Sequence, residues 1–206
     1  MPKLETLIDT ERSAVLTMEI QRGVVGDLAS IPALQKTVAE SGIIPNTAKL
    51  LAAARARGVR VVHCTAAFRR DRAGSFHNVP MVNALLANPD YLVSGSAEAE
   101  LVPELGPEPD DLVTERFHGM SPFTSTSLDA WLRSSGITTV IATGVSLNVG
   151  ILGLSIEAIN RGYHVVIPAD CVAGHPRDYG ELVLENSLRQ LTKLTTSDEI
   201  VAAWSS

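Results

Sequence analysis

The stretch "ATGVSLNVGILGLSIEAINRGYHVVIPAD", residues 142–170, decides the fold. An apolar run ends at Gly144, a segment with apolar residues at helical spacing follows, Gly162 stops it, and a second apolar run begins at once. Strand, turn, helix and strand in that order make a βαβ unit, whose two strands lie parallel. Position 150, on the first turn of that helix, is a glycine. What chemistry belongs at a turn where that position has no side chain is the functional question.

Outward from this stretch the same alternation recurs. "SAVLTMEI" (13–20) has the short apolar run of a buried parallel strand. "IIPNTAKLLAAARARG" (43–58) reads as a helix with Pro45 near its start and Gly58 at its stop, and "VRVVHCTA" (59–66) as the strand after it. Further on, "DLVTER" (111–116) and "ITTVIATG" (137–144) read as strands. "STSLDAWLRSSG" (125–136) reads as a helix with a Ser or Thr cap, and "RDYGELVLENSLRQLT" (177–192) as another helix. "KLTTSDEIVAAW" (193–204) closes with an edge strand and a capped helix. Residues 67–110 are rich in Gly, Pro, Asn and Ser, and predict long loops around a short helical piece near "MVNALLAN". The expected fold is one α/β domain over 1–206: three α/β/α layers on a doubly wound, mostly parallel sheet.

Bulk properties narrow the function. A length of 206 residues with 45% hydrophobic content fills one sizeable core. The net charge of −6, without runs of like sign, argues against a nucleic-acid or polybasic membrane surface. No apolar stretch reaches membrane-spanning length, and "MPKLETLIDTERS" lacks the order of a secretion signal, so a cytoplasmic protein is expected. Cys64 and Cys171 stand far apart without metal-type spacing, and reduced thiols are expected.

Doubly wound sheets bind ligands beyond the carboxyl ends of their strands, where strand order reverses. That rule selects Glu19–Gln21, Cys64–Arg70, Glu115–His118 and Gly144–Gly150. A carboxylate at a strand exit is tunable, since burial raises its pKa and a neighbouring cation lowers it. The bland reading of Glu19 is a solvated loop residue. Cys64 reads as a small buried thiol, and Arg69, Arg70 and Arg72 as a solvated loop rather than an anion clamp. Arg116 supplies a fixed cation and His118 a proton carrier if both point into a cleft.

The order "AVLTMEIQ", "GVRVVHCTA", "SPFTSTSLDAWLRSSGITTVIATGVSLNVG" and "EAINRGYHVVIPADCVAG" resembles the isochorismatase-like hydrolase superfamily, also called the cysteine hydrolases, over about residues 13–203. The resemblance implies a catalytic acid at Glu19, followed by Gln21. It places the family's lysine position at Arg116, with His118 and Glu115 as rivals for that position. It also implies an oxyanion hole involving a cis peptide at Val145 and Ser146. The family's nucleophilic cysteine falls on Gly150, so the resemblance implies catalysis without a covalent thioacyl step. Gln21, Phe123, Val145, Ser146, Asn148 and Gly150 are the expected substrate contacts.

Three readings follow: a hydrolase using Glu19 as acid or base with Arg116 and His118, a silent family member that binds a small molecule, and an amidase using Cys171 or Cys64. No cofactor is expected, and no metal, because His63, His77 and His118 lack D-x-H spacing. The implied partners are a small-molecule ligand and copies of the same chain. Residues 67–110 and the apolar tail "IVAAW" are the expected contact surfaces of that homo-oligomer.

Overall fold

The computed structural model describes residues 2–205. After a short helix α1 (Leu4–Leu7), strand β1 (Ser13–Met18) leads to helices α2 (Pro32–Ser41) and α3 (Ile43–Ala56), then strand β2 (Arg60–Ala66). Helix α4 (Pro80–Leu86) precedes β3 (Leu112–Arg116), α5 (Leu128–Ser134), β4 (Thr139–Val145) and α6 (Leu152–Asn160). The chain closes with β5 (His164–Pro168), β6 (Val172–Ala173), α7 (Arg177–Val183), α8 (Arg189–Leu191), β7 (Lys193–Thr195) and α9 (Ser197–Ser205).

The strands form one parallel sheet in the order β3-β2-β1-β4-β5-β7, with β6 beside β4. The chain works outward from β1 to β3 on one side, then returns to lay β4 on the other. The reversal therefore lies between β1 and β4, and the crevice above it opens at Glu19 and Gly144. Both sheet faces are covered. Val15 and Val61 face a core that includes Ile43, Leu50 and Leu51 of α3, while Leu16, Met18 and Val62 face one that includes Leu128, Leu132 and Leu154. The period of two along β1 assigns alternate side chains to opposite cores. On α3 the buried positions 43, 47, 50, 51 and 54 form one helical stripe. Each fully buried Leu or Ile there contributes roughly 1.5–3 kcal/mol.

Several elements depart from expectation. β1 ends at Met18, two residues early, because Glu19 turns to φ +52 and directs the chain beyond it out of the sheet. The helices expected over 148–162 and 177–192 each contain a π turn, at Leu147–Ile151 and Leu184–Leu188. Ser127, at the start of α5, caps nothing with its side chain; Thr126 Oγ1 accepts from the Leu128 N–H at 3.3 Å instead. Helices α1 and α2 are additional to the sequence reading.

The 67–110 segment is irregular, as expected, but it is stitched to the strand ends. Phe68 N–H donates to Leu92 at 2.8 Å, Ser94 N–H returns to Phe68 at 2.9 Å, and Val102 N–H donates to Ile20 at 3.1 Å. The tail "IVAAW" is largely spent inside its own chain. Ile200 and Trp204 are buried against α3 and the first segment, and Trp204 Nε1 donates to the Ile8 carbonyl at 2.7 Å. Those two side chains are therefore not available to a partner copy. Among the described residues no helix is long and apolar enough to cross a membrane.

Candidate active site

A cavity of about 210 Å³ opens over the ends of β1, β2, β3 and β4. One water needs roughly 10–15 Å³, so the space suits a small organic molecule. Its floor holds Glu19, Arg116, Val145, Ser146 and Gly150. Glu19 is the first residue beyond β1, with its N–H bonded to the Cys64 carbonyl at 2.9 Å. The positive φ aims its side chain across the strand ends, a backbone state that non-glycine residues adopt rarely and mostly where a site demands it.

Arg116, the last residue of β3, reaches the Glu19 carboxylate with its Nη2. The same guanidinium donates from Nε to the Gly119 carbonyl at 3.0 Å and from Nη1 toward the Thr65 carbonyl at 3.5 Å. Arg116 is buried. Burial pulls its pKa down to about 10, which still leaves the group a cation at neutral pH. Of the three residues put forward for the position of the family lysine, Arg116 is the one on Glu19. Glu115 points to solvent and accepts from the Ser94 hydroxyl at 2.9 Å. His118 lines the cavity, packs on Phe76 with ring centres 4.4 Å apart, and pairs with the Ser125 hydroxyl at 3.2 Å.

The turn after β4 carries the closest packing in the site. The Val145–Ser146 peptide is cis. The Ser146 carbonyl accepts from the Val149 and Ile151 N–H groups, and its hydroxyl donates to Asn148 Oδ1 at 2.8 Å. A Cβ built on Gly150 would stand 2.7 Å from the Val145 carbonyl oxygen and 3.1 Å from Met18 Cε. A side chain at 150 thus requires the backbone to move. Gly144, at φ +105, is similarly confined, since its Cβ would meet the Met18 carbonyl at 2.2 Å.

Three of the expected substrate contacts are not cavity-lining residues. Gln21 is fully buried: Nε2 donates to the Ala66 and Ala99 carbonyls, each at 2.8 Å, and Oε1 accepts from Ala66 N–H at 2.8 Å. Its amide is consumed in tying the 92–105 loop to β2. Phe123 is buried against Tyr163, ring centres 5.9 Å apart, with Arg161 over its ring at 5.2 Å. Asn148 braces Ser146. Neither cysteine lines the cavity. Both are fully buried, Cys64 in the core on the α5 side, and burial pushes the Cys64 thiol strongly up and the Cys171 thiol to about 12. Burial disfavours both thiolates and neither thiol faces the cavity, which weighs against the cysteine amidase reading.

Sequence reasoning overlooked the walls. Ile31 and Leu34 at the start of α2, Phe68, and Val79, Val82 and Leu85 around α4 form an apolar part of them. The signal for α4 was legible, since 81, 82, 85 and 86 follow helical spacing. What could not be read was that this short helix covers the strand ends.

Below the site, on the α3 side, a buried polar chain links three elements. Thr17 Oγ1 pairs with His63 Nδ1 at 2.8 Å, His63 Nε2 with Asp111 at 3.1 Å, and Asp111 with Arg55 at 2.6 Å. Burial lowers the His63 pKa despite Asp111. Burial alone would raise Asp111, but Arg55, the Glu108 N–H and His63 bring it below the ordinary carboxylate value. Among the described residues no three His, Cys, Asp or Glu side chains converge to hold a metal ion. His63, His77 and His118 each bond to a different neighbour.

Comparison with known proteins supplies the family. The isochorismatase domain model matches residues 13–199. The chain belongs to the isochorismatase family. It is similar to the uncharacterized isochorismatase family protein YwoC of Bacillus subtilis, 27% identical over 94% of this chain and 95% of that protein. It is also similar to the ureidoacrylate amidohydrolase RutB of Methylorubrum extorquens, 32% identical over 65% of this chain; the match spans 59% of that protein's length. Among solved structures, an isochorismatase-like hydrolase from Alkaliphilus metalliredigens superposes with a TM-score of 0.75 at 28% identity, covering 94% of this chain and 99% of that one. A cysteine hydrolase from Pseudomonas syringae pv. phaseolicola shares the fold, with a TM-score of 0.82 at 23% identity over 97% and 95% of the two chains. The fold and the family hydrolase assignment thus agree with the sequence reading.

Proposed function

We propose that this isochorismatase-family hydrolase acts on a small molecule by acid/base catalysis at Glu19, without a covalent enzyme intermediate. The observation that carries the reading is the Glu19–Arg116 pair on the cavity floor beside Gly150, where the resemblance locates the cysteine of amidase relatives. A guanidinium in contact favours the ionised carboxylate. The resting role is therefore that of a base: Glu19 takes a proton from an attacking water and returns it to the leaving heteroatom as the bond breaks. A carboxyl group that begins protonated, as vinyl ether cleavage requires, is disfavoured by the same contact. Ser146 and the turn it begins lie beside the reacting centre, so backbone donors there can meet developing negative charge. The similarity to a ureidoacrylate amidohydrolase supports a C–N bond as the target class.

A panel of amides, ureas, esters and enol ethers assayed with wild type and Glu19→Gln tests this. Turnover that falls by about 10² or more in the variant supports the reading, in line with the usual size of a general-base contribution. Undiminished turnover in Glu19→Gln, or a substrate-derived adduct on the chain found by mass spectrometry, refutes it. Wild type that binds but turns over nothing on the panel leaves the protein a small-molecule binder using the same cavity.

A further inference from the structure

The cavity's walls and floor differ in kind. Charge on the floor is already balanced, since Glu19 faces Arg116, whose guanidinium also donates to the Gly119 and Thr65 carbonyls. The arginines of the adjoining loop are also committed. Arg69 pairs with Asp71, Arg70 with Asp90, and Arg72 donates to the carbonyls of Asn88, Pro89 and Tyr91. An anionic ligand would thus leave water to meet the Glu19 carboxylate, while Arg116, the arginine that lines the cavity, already has that carboxylate as its counter-ion, an arrangement that is unfavourable. Above the floor, Leu34, Phe68, Val82 and Leu85 make an apolar wall. At the rim, Phe76 and Met81 are 58% and 46% exposed although both line the cavity, so they present apolar surface that a ligand would cover.

We infer that the cavity selects a neutral molecule with a compact polar head and an apolar body of several carbons, the head at Glu19–Arg116 and the body along α4 toward Phe76 and Met81. The inference rests on the proposed hydrolase reading only for the position of the head. A head carrying both a donor and an acceptor, such as a carboxamide, matches a carboxylate beside a guanidinium without disturbing their balance. The body gains by leaving water for the wall, and that gain is about fourfold in affinity for each methylene buried.

The test is a ladder of straight-chain primary amides, propanamide to octanamide, against carboxylates of the same lengths. Binding to wild type is measured at pH 7.5 by calorimetry, and ammonia release is followed in the same samples. The expected result is affinity rising about fourfold per methylene over at least three steps, with each carboxylate at least tenfold weaker than its amide. Phe76→Ser and Met81→Ser, both at exposed positions, are expected to flatten the long end of the ladder. A flat ladder, absence of binding at every length, or carboxylates as tight as amides would overturn the inference. Ammonia release separates the two readings: a rising ladder with no release keeps this inference and sinks the amide-hydrolysing reading, whereas release with a flat ladder does the reverse.

Discussion

Placing a side chain at position 150 tests the packing of the site directly. Two effects compete in Gly150→Ala. Replacing a helical glycine normally stabilises by about 1 kcal/mol, because the unfolded chain loses freedom. Against this, the new Cβ would lie 2.7 Å from the Val145 carbonyl oxygen, closer by 0.3 Å than the 3.0 Å below which real Cβ contacts essentially do not occur. The obstacle is backbone at the end of a central strand, so it cannot swing aside as a side chain would. Overpacking of this kind costs about 1–3 kcal/mol. The steric effect is expected to win, leaving Gly150→Ala destabilised by about 1 kcal/mol and Gly150→Cys by at least as much. Urea denaturation of both variants beside wild type measures this, with a lower midpoint at unchanged slope as the expected sign. Gly150→Ala more stable than wild type by the full propensity gain would show that the close approach does not exist. The reasoning that this turn has no room for a nucleophile would then fail with it.

Four further outcomes follow from the same geometry. Gln21→Ala should lower stability by on the order of 3 kcal/mol, since it strands the Ala66 and Ala99 backbone groups in a buried place; a loss of activity at unchanged stability would restore Gln21 as a substrate contact. Arg116→Met, which leaves Glu19 without its cation, should cost roughly 3–5 kcal/mol if the pair is held as described, read by thermal and urea unfolding. Folded protein should resist iodoacetamide, with Cys64 and Cys171 labelled only on unfolding; alkylation of native protein within minutes would contradict their burial. Because the folded His63 pKa lies below its unfolded value of 6.5, the unfolded chain binds the proton more readily. Stability should therefore decline as pH falls below about 6.5, by at most ~1.4 kcal/mol per pH unit from this group, and His63→Asn should flatten that slope.

How far the sequence could be read depended on how local each cause is. The β1 and β4 runs, the Gly144 turn and the glycine stops are set by residues close in the chain, and they placed Glu19 and Gly150 at the switch point before any coordinates. Arg116 was legible as a candidate because it ends a strand, but its contact with Glu19 joins residues 97 positions apart and needed the sheet order. Gln21 and Phe123, expected as contacts, lie buried away from the cavity. A polar or aromatic residue beside a site looks like a ligand contact unless burial is known, and burial is a property of the whole fold. The apolar walls escaped notice because α2 and α4 are short and amphipathic, and short apolar segments do not announce what they cover.

The balanced pair at the cavity floor also bears on how a ligand arrives. Opposite charges in contact cancel at distance, so the pair itself exerts little pull on a passing solute, and a neutral one feels no net steering. Capture then proceeds by unassisted diffusion, and its rate should be nearly indifferent to ionic strength. Discrimination is deferred to the moment of entry, when solvent must be shed.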